Sequence, residues 1–119
     1  KPQKIFYSWG FYSSHSTGFF IKKKSMEKLG YYNINYKHHA DYDYFYRMIV
    51  HHKMKGISSK KEEIFGVFRR GGFSSTASFR KKFYEEILIR YNNKQSILLI
   101  LIIIFYKSLF NFKRFFTDR

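Results

Sequence analysis

Two carboxylates stand one residue apart at Asp41 and Asp43, in a chain with 8 Asp plus Glu against 23 Lys plus Arg. Apolar residues recur from Tyr42 at the i, i+3, i+4 and i+7 spacing of a helix face, which predicts a helix over 41–52. Asp41 would be its N-cap and Asp43 would lie in its first turn, where backbone N–H groups and the helix dipole favour ionised carboxylates. The pair is therefore a helix cap, unless the surrounding patterns give it a further role.

Metal binding at these carboxylates is not predicted. Hard divalent cations need several oxygen ligands, and only this pair of carboxylates is available here. The adjacent histidines at 38–39 and 51–52 would point about 100° apart on a helix, so neither pair forms a two-ligand face. The sequence has no Cys, which excludes disulfides and thiolate sites, and it has no Gly-x-Ser-x-Gly nucleophile motif.

The composition is basic and aromatic, with a formal net charge of +15 over 119 residues and 23% aromatic residues. Such a balance suits a polyanionic partner, either nucleic acid or an anionic membrane surface. AT-rich coding also enriches Lys, Ile, Tyr, Phe and Asn, so charge alone does not identify the partner.

The element pattern predicts an α/β or an α+β fold, and α/β is the class expected here. Strands are expected at 5–12, 17–21, 53–57 and 63–69, and helices at 25–29, 41–52, 78–91 and 96–116. Gly30 would end the first helix, and Asn33 and Asn35 would form turns. So few strands predict an incomplete mixed sheet that needs further strands beside it.

The last helix, at 96–116, is apolar on every face between Ile97 and Tyr106, which predicts burial in protein or lipid. Lys107 ends the unbroken run, which is short for a membrane span of about 20 residues. Lys94, Lys113 and Arg114 flank it. The alternatives are a helix packed on the domain or a partner, and a helix at a membrane surface.

Four local patterns occur in a fixed order: a histidine before an aromatic strand and basic pair (SHSTGFFIKK, 14–23), a Leu-Gly-aromatic turn (LGYYN, 29–33), the Asp-x-Asp helix (ADYDYFYR, 40–47) and a Gly-Gly loop (FRRGGFSS, 68–75). Together they resemble the C-terminal half of a family 2 glycosyltransferase of the GT-A fold, of the bacterial kind that builds polysaccharide, lipopolysaccharide or capsule. The resemblance covers roughly residues 4–91.

This resemblance implies that Asp41 is the general base that deprotonates the acceptor hydroxyl. It implies that Asp43 stabilises the turn or pairs with Arg47, and that the Gly-Gly loop is a mobile flap with an arginine near phosphate. Residues expected to contact substrate are His15, Asp43, Arg69, Arg70, Gly71, Gly72 and Ser74.

The resemblance also implies an organisation. Residues 1–92 would form the acceptor-side, catalytic half, and residues 93–119 a C-terminal apolar and basic helix. The donor-binding half would precede Lys1, and the ligands for Mg²⁺ or Mn²⁺ would lie there. The expected partners are a nucleotide sugar and a glycan or lipid-linked acceptor. The expected location is cytoplasmic, with peripheral attachment to the inner membrane face as a further option.

Two other classes of function compete with this one. A nucleic-acid-binding module would use basic residues beside aromatic ones, as at 19–24 and 68–73, for phosphate contacts and base stacking; no recognised nucleic-acid-binding pattern supports it, so nucleic acid is not the expected partner. A membrane-surface interaction protein would be built around the 97–116 helix. Salt-dependent oligonucleotide binding and liposome flotation would separate these classes.

Overall fold

The computed structural model describes residues 18–57, 60, 62–64, 66, 67, 71 and 77–117. This part of the chain contains five α-helices and one π-helical turn. In chain order they are α1 (Lys23–Leu29), α2 (Ala40–Tyr46) with the π-helical turn (Arg47–His51), α3 (Phe79–Asn92), α4 (Ile97–Phe110) and α5 (Phe112–Thr117).

The predicted α/β class is wrong for these residues, because no strand or sheet occurs among them. The run at 53–57 is not a strand, and neither are the described residues of the runs at 17–21 and 63–69. Ile57, Ile64 and Val67 are 102%, 82% and 85% exposed, so nothing packs on the β-branched side chains that suggested strands. A strand needs a neighbour to pair its backbone, and local β-propensity does not supply one. The run at 5–12 lies outside the described residues.

The predictions for the end of α1 and the following turn are confirmed. Gly30 has φ +84°, and its N–H donates to Met26 O at 2.8 Å, as expected of a residue that ends a helix in left-handed backbone. Asn33 Oδ1 accepts the N–H of Asn35 at 3.0 Å. The helix itself begins earlier than predicted, after Lys22 rather than at Ser25.

The boundaries of the central helix differ from the prediction. Its N-cap residue is His39, and Asp41 lies two positions inside it. The α-helix ends at Tyr46 and continues as the π-helical turn, in which the N–H of His52 donates to Arg47 O at 2.9 Å. Asp41 therefore occupies the first turn instead of capping it.

Helices α3, α4 and α5 pack together at the C-terminal end. Ser78 caps α3 by accepting the N–H of Lys81 at 3.4 Å. The predicted single helix at 96–116 is broken at Asn111, whose side chain donates to Lys107 O. The break lets α5 fold back, so that Phe115 meets Phe79 and Phe83 edge-on at centroid distances of 4.9 and 5.5 Å.

The apolar helix α4 is buried on one face only, which corrects the expectation of burial all round. Ile100 and Ile103 are 6% and 0% exposed, while Leu98 and Phe105 are 69% and 72% exposed. Among the described residues no helix is both long and apolar enough to cross a membrane.

Candidate functional site

The structure describes three of the predicted site residues: Asp41, Asp43 and Gly71. Asp41 and Asp43 share the first turn of α2, and Gly71 is exposed with φ +92°, which fits the left-handed backbone expected of the Gly-Gly loop. The remaining members of the predicted set lie outside the described residues: His15, Arg69, Arg70, Gly72 and Ser74.

The Arg47 side chain connects the central helical segment to the end of α1. Arg47 Nε lies 2.9 Å from Asp43 Oδ2, as the i+4 spacing predicted. The same guanidinium donates to the carbonyl oxygens of Leu29 at 2.9 Å and Tyr31 at 2.8 Å. One side chain thus satisfies carbonyls left unpaired at the C-terminus of α1 and holds the turn that follows.

Asp43 is buried, with 4% of its surface exposed, and its second oxygen also has a partner. Asn93 Nδ2 donates to Asp43 Oδ1 at 2.8 Å and to Ile89 O at 2.9 Å. Asn93 Oδ1 lies 3.1 Å from His51 Nε2, an arrangement that requires the proton on Nε2 because the amide oxygen only accepts. Asn93 therefore joins the end of α3 to both ends of the central helical segment.

A second carboxylate from α3 holds the segment that leads into α2. Glu85 Oε1 accepts the N–H groups of His38 and His39 at 2.7 Å each, and Oε2 accepts that of Lys37 at 3.0 Å. Burial alone would raise the pKa of Glu85, but the three donors outweigh it and lower that pKa. In a capping box, a glutamate of the helix itself accepts the N–H of the N-cap residue. Here Glu85 of α3 accepts that N–H for α2.

Asp41 stands half-buried between these two supports. Its Oδ1 accepts the N–H of Tyr42 at 2.8 Å, so it satisfies one of the orphan donors at the start of α2. A fixed and partly accessible carboxylate is what general-base chemistry requires.

An aromatic surface lies within electrostatic reach of Asp41. Tyr32 stacks on Tyr44 with ring centroids 4.2 Å apart and planes 9° apart, and it remains 43% exposed. Burial, the Tyr44 hydroxyl and the Asp41 carboxylate together raise the pKa of Tyr32. The neighbouring Tyr31 is 79% exposed. The turn after α1 therefore presents exposed aromatic side chains, one of which stacks on α2.

The N-cap residue His39 is held in its neutral form. Burial lowers its pKa, although the nearby carboxylates of Glu86, Glu85 and Asp41 oppose that effect. Its Nδ1 atom is buried and has no hydrogen-bond partner within the structure described. A neutral imidazole beside Asp41 adds no positive charge that would pair with the carboxylate.

Beneath the site, α3 and α4 are joined by a buried charge network. Glu86 Oε1 accepts from Arg90 Nε at 3.2 Å and from the terminal nitrogen Nη2 at 2.7 Å, while Oε2 lies 2.5 Å from Lys107 Nζ. Burial favours protonation of Glu86, but the two cations outweigh it and lower the pKa of this carboxyl. Arg90 also lies 5.3 Å above the Tyr42 ring, which links the network to α2.

The residues at the start of α2 do not fit a divalent cation. Both oxygens of Asp43 are taken, by Arg47 and Asn93, and Asp41 Oδ1 is taken by a backbone N–H. Among the described residues no group of three or more metal-ligating side chains comes together. The expected Mg²⁺ or Mn²⁺ ligands belong to the donor-binding half that the resemblance implies, and that expectation stays a prediction.

Glu85 and Asn93 are the supports that the sequence did not reveal. Glu85 binds backbone 46 to 48 positions earlier in the chain. Asn93 follows the last residue of α3. The isolated acidic pair at 85–86 was the one available signal, because adjacent helical residues face different neighbours.

No protein-family model, curated protein or solved structure matches this chain.

Proposed function

We propose that this chain supplies the acceptor-activating carboxylate of a glycosyl transfer from a nucleotide sugar to a glycan or lipid-linked acceptor. Asp41 takes the proton of the acceptor hydroxyl while that oxygen forms a bond to the anomeric carbon. The bond from that carbon to the diphosphate oxygen breaks, and the nucleoside diphosphate leaves with the electron pair. A single displacement of this kind inverts the anomeric configuration.

The observation that carries the proposal is the support given to Asp41. The Asp43–Arg47 pair fixes the inside of the turn, and Glu85 fixes the backbone just before it with three hydrogen bonds of 2.7 to 3.0 Å. Catalysis by a weak base depends on holding it in the correct position, and both supports act on backbone within a few residues of Asp41.

The exposed tyrosines of the turn after α1 suit a sugar acceptor. An aromatic ring offers a flat apolar surface to the C–H face of a pyranose, and stacking on Tyr44 fixes the orientation of Tyr32. Asp41 also interacts electrostatically with the Tyr32 hydroxyl, and the proposal places the acceptor against this ring. The proposal assigns the donor sugar, and any Mg²⁺ or Mn²⁺, to a separate nucleotide-binding unit.

The test is made in the gene product that contains this chain together with such a unit. Asp41→Asn keeps the size and a hydrogen-bond acceptor but removes the base, so we expect kcat to fall by about 10²- to 10⁴-fold. Release of nucleoside diphosphate from a panel of UDP-, GDP- and dTDP-sugars, with and without glycolipid extract as acceptor, measures the rate. Calorimetric titration with the nucleotide sugar checks that donor binding is unchanged.

Glu27→Gln is the matched control, because it removes one carboxylate charge from an exposed position on α1. It should transfer sugar at the rate of the unaltered protein. Transfer retained by Asp41→Asn would remove this residue from the role of base. Absence of sugar transfer with every donor and acceptor, in a protein that is folded, would reject the function itself.

A further inference from the structure

Helix α4 carries an exposed apolar face. Four large side chains along one side of this helix are more than half exposed, and one more follows on α5: Leu98, Leu101, Phe105, Leu109 and Phe112. The first four recur at spacings of three or four residues, so they form a continuous strip on one helix face. A strip of this kind on a water-exposed protein marks an interaction surface.

The charges around this strip have one sign. From residue 87 to residue 117 every charged side chain is basic, and the last preceding carboxylate is Glu86. Lys94 lies just before α4 and Lys113 lies in α5, both exposed. Lys107 is the one cation of α4, and it is paired with Glu86 on the opposite, packed side. The apolar strip is therefore bounded at each end by a solvent-exposed cation.

We propose that this face docks on an anionic phospholipid bilayer surface, with α4 lying in the plane of the interface. Its apolar side chains would enter the boundary between headgroups and acyl chains, and Lys94 and Lys113 would contact the headgroup phosphates. With 14 residues, α4 is roughly 21 Å long, which suits a helix lying along the surface rather than crossing a hydrocarbon core of about 30 Å. This inference does not depend on glycosyl transfer.

Charge argues against a second copy of this chain as the occupant. Two molecules with a formal charge of +15 each would face one another across an isologous contact. That contact would bring the basic ends of both strips together without a carboxylate from residues 87–117 to pair with them. A surface of anionic headgroups satisfies the cations and the apolar strip at once.

The experiment is co-sedimentation of the full chain with vesicles. Equimolar phosphatidylcholine and phosphatidylglycerol is compared with pure phosphatidylcholine, and we expect at least about 10-fold tighter binding to the anionic vesicles. Raising the salt from about 0.1 M to about 1 M shortens the screening length from about 10 Å to about 3 Å and should weaken the binding. Equal binding to the two vesicle types, or none to either, would overturn the proposal.

Paired variants locate the surface. Leu101→Asp with Phe105→Asp should weaken vesicle binding at least about 10-fold. Ile34→Asp with Ile57→Asp makes the same charge change at residues that are 90% and 102% exposed elsewhere, and it should bind within about two-fold of the unaltered chain. Equal losses in the two variants would show that charge, and not the α4 strip, decides the binding.

The basic ends are tested in the same way. Lys94→Glu with Lys113→Glu should lose the preference for anionic vesicles, while the exposed pair Lys24→Glu with Lys55→Glu should keep it. Far-UV circular dichroism checks the helical content of each variant. If the aspartate variant unfolds, Leu98→Ser with Phe105→Ser repeats the test without buried charge. A dimer that the strip variants dissociate, in a chain that does not bind vesicles, would identify a second copy as the occupant instead.

Discussion

Helices α3 and α4 are each 14 residues long and pack against each other, yet they place charge and hydrocarbon in opposite ways. α3 buries Glu86 and Arg90, and the Arg90 side chain is completely inaccessible. α4 leaves Leu98 and Phe105 mostly in solvent. Buried charges are stable only when each has a partner, and the charges buried on α3 find theirs within the chain. The exposed side chains of α4 gain no burial from the described residues, and the proposed membrane contact would supply it.

The largest expected effect comes from removing the shared counter-charge of α3. Glu86→Gln leaves Arg90 buried without its carboxylate and Lys107 without its partner, and we expect a loss of about 3 to 5 kcal/mol in the free energy of unfolding. Denaturant unfolding measures it. Glu27→Gln, on the exposed side of α1, should stay within about 0.5 kcal/mol. A loss below about 1 kcal/mol at Glu86 would mean that the network is not what completes α3.

The same carboxyl predicts a dependence of stability on pH. Its pKa in the folded chain is lowered from the ordinary value of 4.5, so the folded state binds fewer protons than the unfolded state below that pH. The stabilisation is complete above about pH 4.5 and is lost as pH falls through the folded pKa. Unfolding curves recorded between pH 7 and pH 3 should show a steeper loss for the unaltered chain than for Glu86→Gln. Parallel curves would contradict the assignment.

A smaller effect is expected from the carboxylate that α3 directs toward α2. Glu85→Ala deprives three backbone N–H groups of their acceptor, but the site is partly exposed and water replaces some of these bonds, so the cost is about 1 to 2 kcal/mol. Hydrogen exchange should speed up at the amides of residues 37–39 while those of α3 remain protected. Glu85→Gln, which keeps an acceptor oxygen, should retain more of that protection. Unchanged exchange in Glu85→Ala would remove Glu85 as an anchor.

Local chemistry allowed the helices to be predicted from the sequence. Helix periodicity, the Gly30 terminator and the Asp43–Arg47 spacing all depend on residues a few positions apart. The predicted strands were wrong because strand formation depends on residues that are distant in sequence. Short apolar runs such as 53–57 satisfy a strand pattern locally, but a strand forms only with a neighbour to pair its backbone, and that depends on the rest of the fold.

The same contrast between neighbouring and distant residues applies to the candidate site. Asp41 and Asp43 were found because they adjoin a helix start. Their supports were missed because Glu85 and Asn93 reach them across 46 to 50 positions of sequence. The N-cap was misplaced by two residues since Glu85 supplies the acceptor from α3, which frees His39 to begin the helix without a side-chain cap. The division into residues 1–92 and 93–119 stays a prediction.

The smallest expected effect is on the free energy of unfolding when an exposed side chain of α4 is shortened. Leu98 is 69% exposed and Ile103 is fully buried, although both belong to the same helix. Leu98→Ala in the isolated chain should change the free energy of unfolding by no more than about 0.5 kcal/mol, because little apolar area is lost from the fold. Ile103→Ala removes packed methylene groups and should cost about 2 to 5 kcal/mol. Denaturant unfolding at several protein concentrations separates folding from association. Similar costs at the two positions would mean that protein already covers the strip in solution. Helix α4 would then need no membrane to bury its apolar side chains.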